Sequence, residues 1–299
     1  MNAVCTLFEG HYHLGAGALV NSLHASGFTG RIVCGHRGTL PAWGEAAQRI
    51  RGDFEVRFVR LETQSHLTYH KPEFMLRCWS EYCPDASQLH YLDPDIVVKA
   101  PWATMERWAK DGVALCEDVN ANLPSGHPYR LQWTDFLAHH AMRAARPMER
   151  YYNAGYVGVP RSAIGFVRIW AKIVDDAGLE LGGLAKLKND QPHALFHSAD
   201  QDALNMALMC TEVPINASGP EGMDFLPGGH LLSHAIGGAK PWRGGFLREA
   251  LHGRPPGKAQ KTFFRFAESP LRLISPPELR RMKASLSLGA LVGRVYRRS

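Results

Sequence analysis

Short apolar runs alternate with stretches of helical spacing along most of this chain, and this alternation limits the folds that it can adopt. Runs of strand length occur at 3–8, 31–35, 54–61, 88–93 and 113–118. Helical spacing is found in the segment that ends at Gly27 and in 72–82 and 102–110. Strands that alternate with helices predict an α/β fold with a mainly parallel sheet flanked by helices.

The second half of the chain continues this pattern less regularly. A strand is predicted at 156–160, and amphipathic helices are predicted at 162–178 and 198–210. Residues 119–150 have loop signals and no clear period. Gly and Pro are frequent from 219 to 257, which favours loops there.

The length of 299 residues suits one large α/β domain with a small extension, and we expect the domain to span 1–250 and the extension 251–299. Hydrophobic residues make up 45% of the chain, which is enough to bury a core. The six cysteines have no CxxC spacing, which argues against a zinc ribbon or redox motif and predicts buried free thiols. Because no signal peptide or membrane span is evident, we expect a cytoplasmic protein.

The chain has a formal net charge of +6, which favours anionic partners. Much of this charge lies in 278–298, where a predicted helix has an imperfect apolar face and a basic face. The basic face consists of Arg280, Arg281, Lys283, Arg294, Arg297 and Arg298. Such a helix suits an anionic membrane, here the inner face, and equally suits a helix docked on the domain with solvated arginines. Nucleic-acid binding is not expected, because no RNA or DNA motif occurs.

An apolar strand ends in two carboxylates in the sequence YLDPDIVV. Pro94 cannot donate to a sheet ladder, so Asp93 and Asp95 should lie at or beyond the end of the strand. In open α/β sheets, ligands bind beyond the carboxyl ends of strands. Two carboxylates there repel each other unless positive charge is near, and a divalent cation that bridges to a diphosphate supplies it. The alternative is a plain Asp-Pro-Asp turn.

A second group of chemically useful residues lies in SHAIGGAKPW, at 233–242. His234 is a candidate metal ligand, Gly237 and Gly238 allow a backbone to approach a ligand closely, and Lys240 is a candidate phosphate contact. The alternative for His234 is a packing role, since the chain has 15 histidines.

The segment DQDALN, at 200–205, begins a predicted helix and has two interpretations. Ser198 and Gln201 fit a capping box, and Asp200 and Asp202 favour a helix N-terminus. A carboxylate exposed there could equally orient a sugar hydroxyl or stabilise a developing cation. Asn153 precedes a predicted small-residue turn into a strand, so its amide either bonds a sugar or closes the turn.

Taken in order, four motifs resemble those of the GT-A-fold glycosyltransferases of family 8, the retaining galactosyl- and glucosyltransferases of bacterial lipopolysaccharide assembly and their glycogenin relatives. The motifs are YLDPD at 91–95, NAG at 153–155, DQDALN at 200–205 and HAIGGAKPW at 234–242. The resemblance implies a GT-A (Rossmann-like) fold with a C-terminal helical tail. It also implies a metal-dependent enzyme that moves a hexose from a UDP-sugar to an acceptor hydroxyl with retention of configuration, in lipopolysaccharide or other cell-surface glycan synthesis.

The same resemblance assigns the metal and diphosphate contacts. Asp93 and Asp95 would form the DxD pair that binds Mn²⁺ or Mg²⁺, and His234 would complete the protein ligands. Asp93 would also contact the donor, and Gly237 and Lys240 would hold its diphosphate.

The remaining implied roles concern the donor and the reacting face. Asp200 and Gln201 would be the catalytic residues, and Asn153 would line the donor sugar. Tyr12 matches the aromatic residue that stacks on uracil. The family usually has an acidic pair or Asp-Asn before this aromatic; here the sequence is Glu9-Gly10-His11, so Glu9 is the remaining candidate for the ribose contact.

Two points stay open in the sequence. Either Glu117 or Asp118, at the end of the VALCED strand, matches a further donor-site carboxylate, with Glu117 taken as the candidate. Residues 119–150 match no part of the family pattern, so the acceptor is not identified. The alternatives to a glycosyltransferase are a non-catalytic sugar-nucleotide-binding protein and a nucleotidyltransferase on a related fold, although GHYHLGAG lacks the basic pair that the latter usually has after its first strand.

Overall fold

A computed structural model describes residues 1–50, 54–120, 122–181 and 195–295. Its centre is a seven-stranded sheet in the order β3-β2-β1-β4-β7-β6-β8, and β5 pairs with β9 in a separate two-stranded sheet. The strands are β1 Asn2–Glu9, β2 Gly30–Arg37, β3 Phe54–Arg60, β4 Gln88–Leu92, β5 Ile96–Val98, β6 Val113–Glu117, β7 Tyr152–Pro160, β8 Ile215–Ser218 and β9 Leu232–His234. In the large sheet only β7 is antiparallel to its neighbours, so the predicted mainly parallel sheet is confirmed.

Ten helices surround the sheets in the described part of the chain. They are α1 His13–Ala25, α2 Gly44–Gln48, α3 Lys71–Arg77, α4 Trp102–Trp108, α5 Pro128–His139, α6 Ile164–Glu180, α7 Ala199–Met209, α8 Phe246–Leu251, α9 Lys258–Phe263 and α10 Pro276–Val295. α3 continues into a π-helical turn at Cys78–Tyr82.

The structure corrects one of the sequence-based predictions and bears out another. The strand predicted at 156–160 begins at Tyr152, so Asn153 lies inside β7 and not in a turn before it. The stretch 219–257 is mostly loop, as predicted, and also contains the short elements β9 and α8. The difference at β7 arises because pairing with β6 extends the strand through a segment whose local sequence favours a turn.

The core lies on both faces of the large sheet, and strand periodicity explains why. In β1, Ala3, Cys5 and Leu7 pack into one apolar cluster, whereas Val4 and Phe8 pack into another. Successive side chains of a strand point to opposite faces, so a strand that is buried on both faces is continuously apolar.

The Asp-Pro-Asp segment is the crossover between the two sheets. The chain leaves the large sheet after Leu92 and enters β5 at Ile96, which pairs with His234 in β9. Asp93 N–H donates to the carbonyl of Gly155 at 2.7 Å, and Ala235 N–H donates to the carbonyl of Asp95 at 3.0 Å. These bonds place the end of β4, β7 and β9 around one point.

The C-terminal part packs through a third apolar cluster. It contains Trp242, Phe246 of α8, Phe263 of α9, and Leu279 and Met282 of α10. The helix predicted at 278–298 is therefore present as α10 and is docked along part of its length. Its predicted basic residues Arg297 and Arg298 lie outside the described residues. Among the described helices, none is long and apolar enough to cross a lipid bilayer.

Candidate functional site

A cavity of about 470 Å³ opens beyond the carboxyl ends of β1 and β4 and the amino end of β7. This is the edge at which open α/β sheets bind ligands. The predicted site residues that line it are Glu9, Tyr12, Asp93, Asp95, Asn153, Asp200, Gln201, His234, Gly237 and Lys240. Residues far apart in the sequence therefore converge on one cavity.

Asp93, Asp95 and His234 form a group of potential metal ligands, with one ligand atom of each lying within 4.8 Å of the others. Nε2 of His234 is 3.2 Å from Oδ1 of Asp95 and 4.0 Å from Oδ2 of Asp93. The imidazole is held close by Gly155, where an added methyl group would lie 2.5 Å from Cε1 of His234. The small residue of the NAG motif is thus required by the histidine that packs on it.

Three observations test whether these residues fit a divalent cation. Two carboxylates and an imidazole are a donor set that suits Mn²⁺. Nε2 of His234 faces carboxylate oxygens of both aspartates, so the three potential ligand atoms are directed to one place. Three carboxylates, of Asp93, Asp95 and Asp200, face the two ammonium groups of Lys71 and Lys240, which leaves one negative charge. The residues therefore fit the cation.

The two aspartates of the motif differ in their electrostatic surroundings. Burial raises the pKa of the Asp93 carboxyl, and Asp95 adds to this rise against the opposing effect of Lys71. Burial also acts to raise the pKa of Asp95, but His234 and Lys240 outweigh it and hold that pKa well below its usual range. Asp95 is therefore ionised, and Asp93 gains most from a further positive charge.

Lys240 lies beside Asp95, one of the three potential metal ligands. Its Nζ is 2.5 Å from Oδ2 of Asp95 and 2.7 Å from the carbonyl of Ala235, and it lies 5.5 Å from the ring centroid of Tyr12. The Tyr12 ring packs edge-on against Trp242. Tyr12 and Lys240 are therefore neighbours in the folded chain, although 228 residues separate them in the sequence.

Lys71 is the main site residue that the sequence analysis missed. Its side chain is 2% exposed, and its Nζ lies 3.0 Å from Asp93 Oδ1, 3.0 Å from Asp200 Oδ2 and 3.1 Å from the carbonyl of Ala154. Burial acts to lower its pKa, but the two carboxylates raise the pKa above its ordinary value, so the ammonium stays charged.

A sequence signal for Lys71 did exist. Lys71, Phe74, Met75 and Cys78 recur on one helical face, and all four are buried. A lysine in an otherwise apolar stripe predicts a buried charge that needs carboxylate partners.

The catalytic candidates at the start of α7 are held by the neighbouring strands. Gln201 accepts a hydrogen bond from Ala154 N–H at 3.2 Å and donates to Asp118 Oδ2 at 3.3 Å. Asn153 donates to the same oxygen of Asp118 at 2.8 Å and accepts from Gly155 N–H at 2.9 Å. Both amides thus have a fixed orientation along the cavity wall.

The capping box predicted for Ser198 and Gln201 is not formed, because the Ser198 side chain makes no capping bond and the Gln201 amide faces the cavity. Asp202 replaces it: its Oδ2 accepts from His197 N–H at 2.8 Å and Ser198 N–H at 2.9 Å. Tyr151 donates to the other oxygen at 2.6 Å. Asp202 therefore anchors the turn that presents Asp200 and Gln201.

Between the two carboxylates that the sequence left open, Asp118 lines the cavity, whereas Glu117 faces Arg150 at 3.6 Å outside it. Glu9 lines the cavity, but its carboxylate accepts a hydrogen bond from Nε of Arg37 at 2.6 Å. Arg37 also donates to the carbonyls of Thr63 and Ser65, so Glu9 is tied to the loop after β3.

Solved structures with a similar fold include glycosyltransferases. The galactosyltransferase LgtC in complex with donor and acceptor sugar analogues superposes with a TM-score of 0.55 at 17% identity, over 94% of this chain and 99% of LgtC. GlyE of Streptococcus pneumoniae TIGR4 gives 0.52 at 14% identity, over 96% of this chain and 64% of GlyE. The bifunctional glycosyltransferase WbbM gives 0.54 at 14% identity, over 94% of this chain and 51% of WbbM. The chain therefore has the predicted GT-A fold.

Neither a scan against protein-family models nor a search of curated proteins finds a match to this sequence. The likeness to the solved structures is thus one of fold, at low sequence identity.

Proposed function

We propose that this protein is a metal-dependent glycosyltransferase that moves a hexose from a UDP-sugar to an acceptor hydroxyl with retention of configuration. The observation that carries the proposal is the convergence of Asp93, Asp95 and His234 in one cavity with Asp200 and Gln201. Paired carboxylates with an imidazole suit a cation that binds a diphosphate, and the fold is one on which sugar transfer is known among the similar structures.

The donor would be held by the mouth of the cavity. Tyr12 presents an aromatic ring on which a uracil can stack, and its neighbour Lys240 offers a positive charge to the diphosphate. Gly237 has a φ of +81°, and nothing lies within 4 Å of the place where its side chain would be. This conformation favours glycine and leaves the backbone open to a phosphate.

When bound, Mn²⁺ or Mg²⁺ would act as a Lewis acid that stabilises the departing nucleotide diphosphate. Asp93, Asp95 and His234 would hold it. Lys240 would add fixed positive charge near the same group without requiring a proton transfer.

The reacting face would be formed by the start of α7. Lys71 pairs with Asp200 at 3.0 Å, which keeps the carboxylate oriented beside the cavity. The Gln201 carbonyl oxygen, fixed by its bond with Ala154 N–H, is a second candidate to stabilise positive charge at the anomeric carbon. Asp118 and Asn153 offer further hydrogen bonds to sugar hydroxyls.

The direct test is calorimetric titration with UDP-galactose, UDP-glucose, UDP-N-acetylglucosamine and GDP-mannose, first with Mn²⁺ and then with a chelator. We expect that one UDP-sugar binds only when the cation is present. With that donor, the protein should also release UDP slowly. The anomeric proton coupling of a transferred sugar, measured by NMR, tests retention. A donor affinity that is the same with chelator as with Mn²⁺ would contradict the metal role. Tight donor binding without UDP release or sugar transfer would support a non-catalytic sugar-nucleotide-binding protein.

We further propose that the protein works at the inner face of a membrane, in lipopolysaccharide or other cell-surface glycan synthesis. α10 buries Leu279 and Met282 but leaves Leu288 and Leu291 50% and 56% exposed. Exposed Arg280, Arg281 and Arg294 accompany these leucines. A half-docked helix with exposed leucines and arginines suits an anionic lipid surface.

A further inference from the structure

Outside the cavity, one buried carboxylate is shared by two lysines. Oδ1 of Asp224 lies 2.6 Å from Nζ of Lys99 and 2.6 Å from Nζ of Lys258, and the Asp224 side chain is 0% exposed. Both ammonium groups also donate to the carbonyl of Gly229, at 2.9 and 3.2 Å. Since Lys99 follows β5 and Lys258 begins α9, Asp224 links the strand after the DxD pair to the C-terminal segment.

The same residue sets the course of the loop that precedes β9. Asp224 has a φ of +61°, a left-handed conformation that few side chains adopt. Its N–H bonds to the carbonyl of Glu221 at 3.1 Å, and Phe225 N–H bonds to that of Pro220 at 3.2 Å. This closed turn directs Phe225 toward His234, and the two ring centroids are 5.7 Å apart.

His234 depends on such packing for its orientation. A metal-binding histidine usually donates its second ring N–H to a partner that fixes the ring. Nδ1 of His234 has no such partner among the described residues. The ring is held instead by Gly155, where a methyl group would lie 2.5 Å from Cε1, and by Phe225.

We propose that Asp224 is a positioning residue for the cation site: paired with Lys99 and Lys258, it holds Phe225 against His234. The C-terminal segment thereby contributes to the geometry of a site to which it supplies no ligand. The inference rests on the proposed function for the presence of the cation, whereas the placement of the imidazole can be measured without it.

The test compares Asp224→Asn and Lys258→Met with a matched control, Lys283→Met, which breaks the exposed ion pair with Glu268 in the same C-terminal segment. In metal-free, folded protein, the rate at which diethyl pyrocarbonate modifies His234 is followed by peptide mass spectrometry. We expect this rate to rise several-fold in both test variants and to stay at the wild-type value in the control. The dissociation constant for Mn²⁺ alone, from the paramagnetic resonance signal of free Mn²⁺, should rise about tenfold in the test variants only.

The possible outcomes distinguish a positioning role of Asp224 from a purely stabilising role, and they test the proposed function separately. A lower melting temperature with unchanged His234 modification and Mn²⁺ affinity would overturn the positioning role. Lys258→Met leaves the Lys99–Asp224 pair in place, so it keeps the test decisive if Asp224→Asn does not fold. A wild type that binds no Mn²⁺ would contradict the proposed function, whereas faster His234 modification in the variants would still support the role of Asp224.

Discussion

The ammonium of Lys71 lies 3.0 Å from the carboxylate of Asp200, which follows it by 129 residues in the chain. The same ammonium contacts Asp93, so one buried cation joins the DxD motif to the start of α7. This pairing connects the candidate cation site with the candidate reacting face, and it makes Lys71 the first residue to test.

Replacement of Lys71 by Met should destabilise the fold, because it leaves the buried carboxylates of Asp93 and Asp200 without their counter-charge. Breaking a buried ion pair from one side costs about 3–5 kcal/mol in the free energy of unfolding. Urea denaturation measures this loss. Addition of Asp200→Asn should recover part of it, and two strictly additive losses would argue against the pairing.

Asp95→Asn should reduce Mn²⁺-dependent turnover by at least ~100-fold and weaken donor binding, because it removes charge from the cation site. UDP release and donor calorimetry measure the two effects. Glu117→Gln is the matched control, since this carboxylate faces Arg150 outside the cavity. Turnover by Asp95→Asn at the level of the control would refute the assignment of Asp95 as a metal ligand.

Gly155→Ala should weaken Mn²⁺ binding about tenfold, because the new methyl group would lie 2.5 Å from Cε1 of His234 and displace the ring. Gly165→Ala in α6 is the control: open space surrounds that position, and alanine should stabilise the helix by up to about 1 kcal/mol. Titration with Mn²⁺ measures the affinity of both variants for the cation, and thermal unfolding measures their stability. Equal Mn²⁺ affinity in the two would show that the ring can shift without loss.

The stability of the protein should depend on pH through Asp202. Burial raises the pKa of this carboxyl from 3.8 to about 6, against the opposing bonds from Tyr151, Ser198 and His197. The folded state therefore holds the proton to higher pH than the unfolded state. The resulting stabilisation is complete below about pH 4 and disappears as pH rises through about 6, a change on the order of 3 kcal/mol.

Asp202→Asn removes this titration. From pH 4 to pH 7, the wild type should lose stability relative to the variant, as measured by urea denaturation of both proteins across that range. If the free energies of unfolding of the two proteins changed in parallel with pH, the pKa of Asp202 in the folded state would lie near its value in the unfolded state.

The double change Leu288→Ser and Leu291→Ser should reduce co-sedimentation with anionic liposomes, because it removes exposed apolar area from α10. Leu179→Ser on α6 is the control, since Leu179 is 80% exposed and lies on another helix. Unchanged lipid binding by the double variant would exclude this face of α10 as the membrane contact.

Local sequence predicted six of the seven strands of the large sheet, six of the ten described helices and the main ligand candidates. Strand-length apolar runs such as 3–8 predict buried strands by themselves, because the side-chain period is a property of the backbone. Asp93 and Asp95 follow such a run and a proline, so their place at the sheet edge was predictable.

Only the tertiary structure decided which polar groups meet. Asn153 was expected in a turn but lies inside β7, because pairing with β6, in which Cys116 lies opposite Asn153, extends that strand across a Gly-containing segment. Asp118 lines the cavity and its neighbour Glu117 does not, because adjacent residues at a strand end face opposite sides. Lys71 acquires its role from two carboxylates that lie 22 and 129 residues away. Such contacts depend on how segments far apart in the sequence pack together, and local sequence patterns carry no information on that packing.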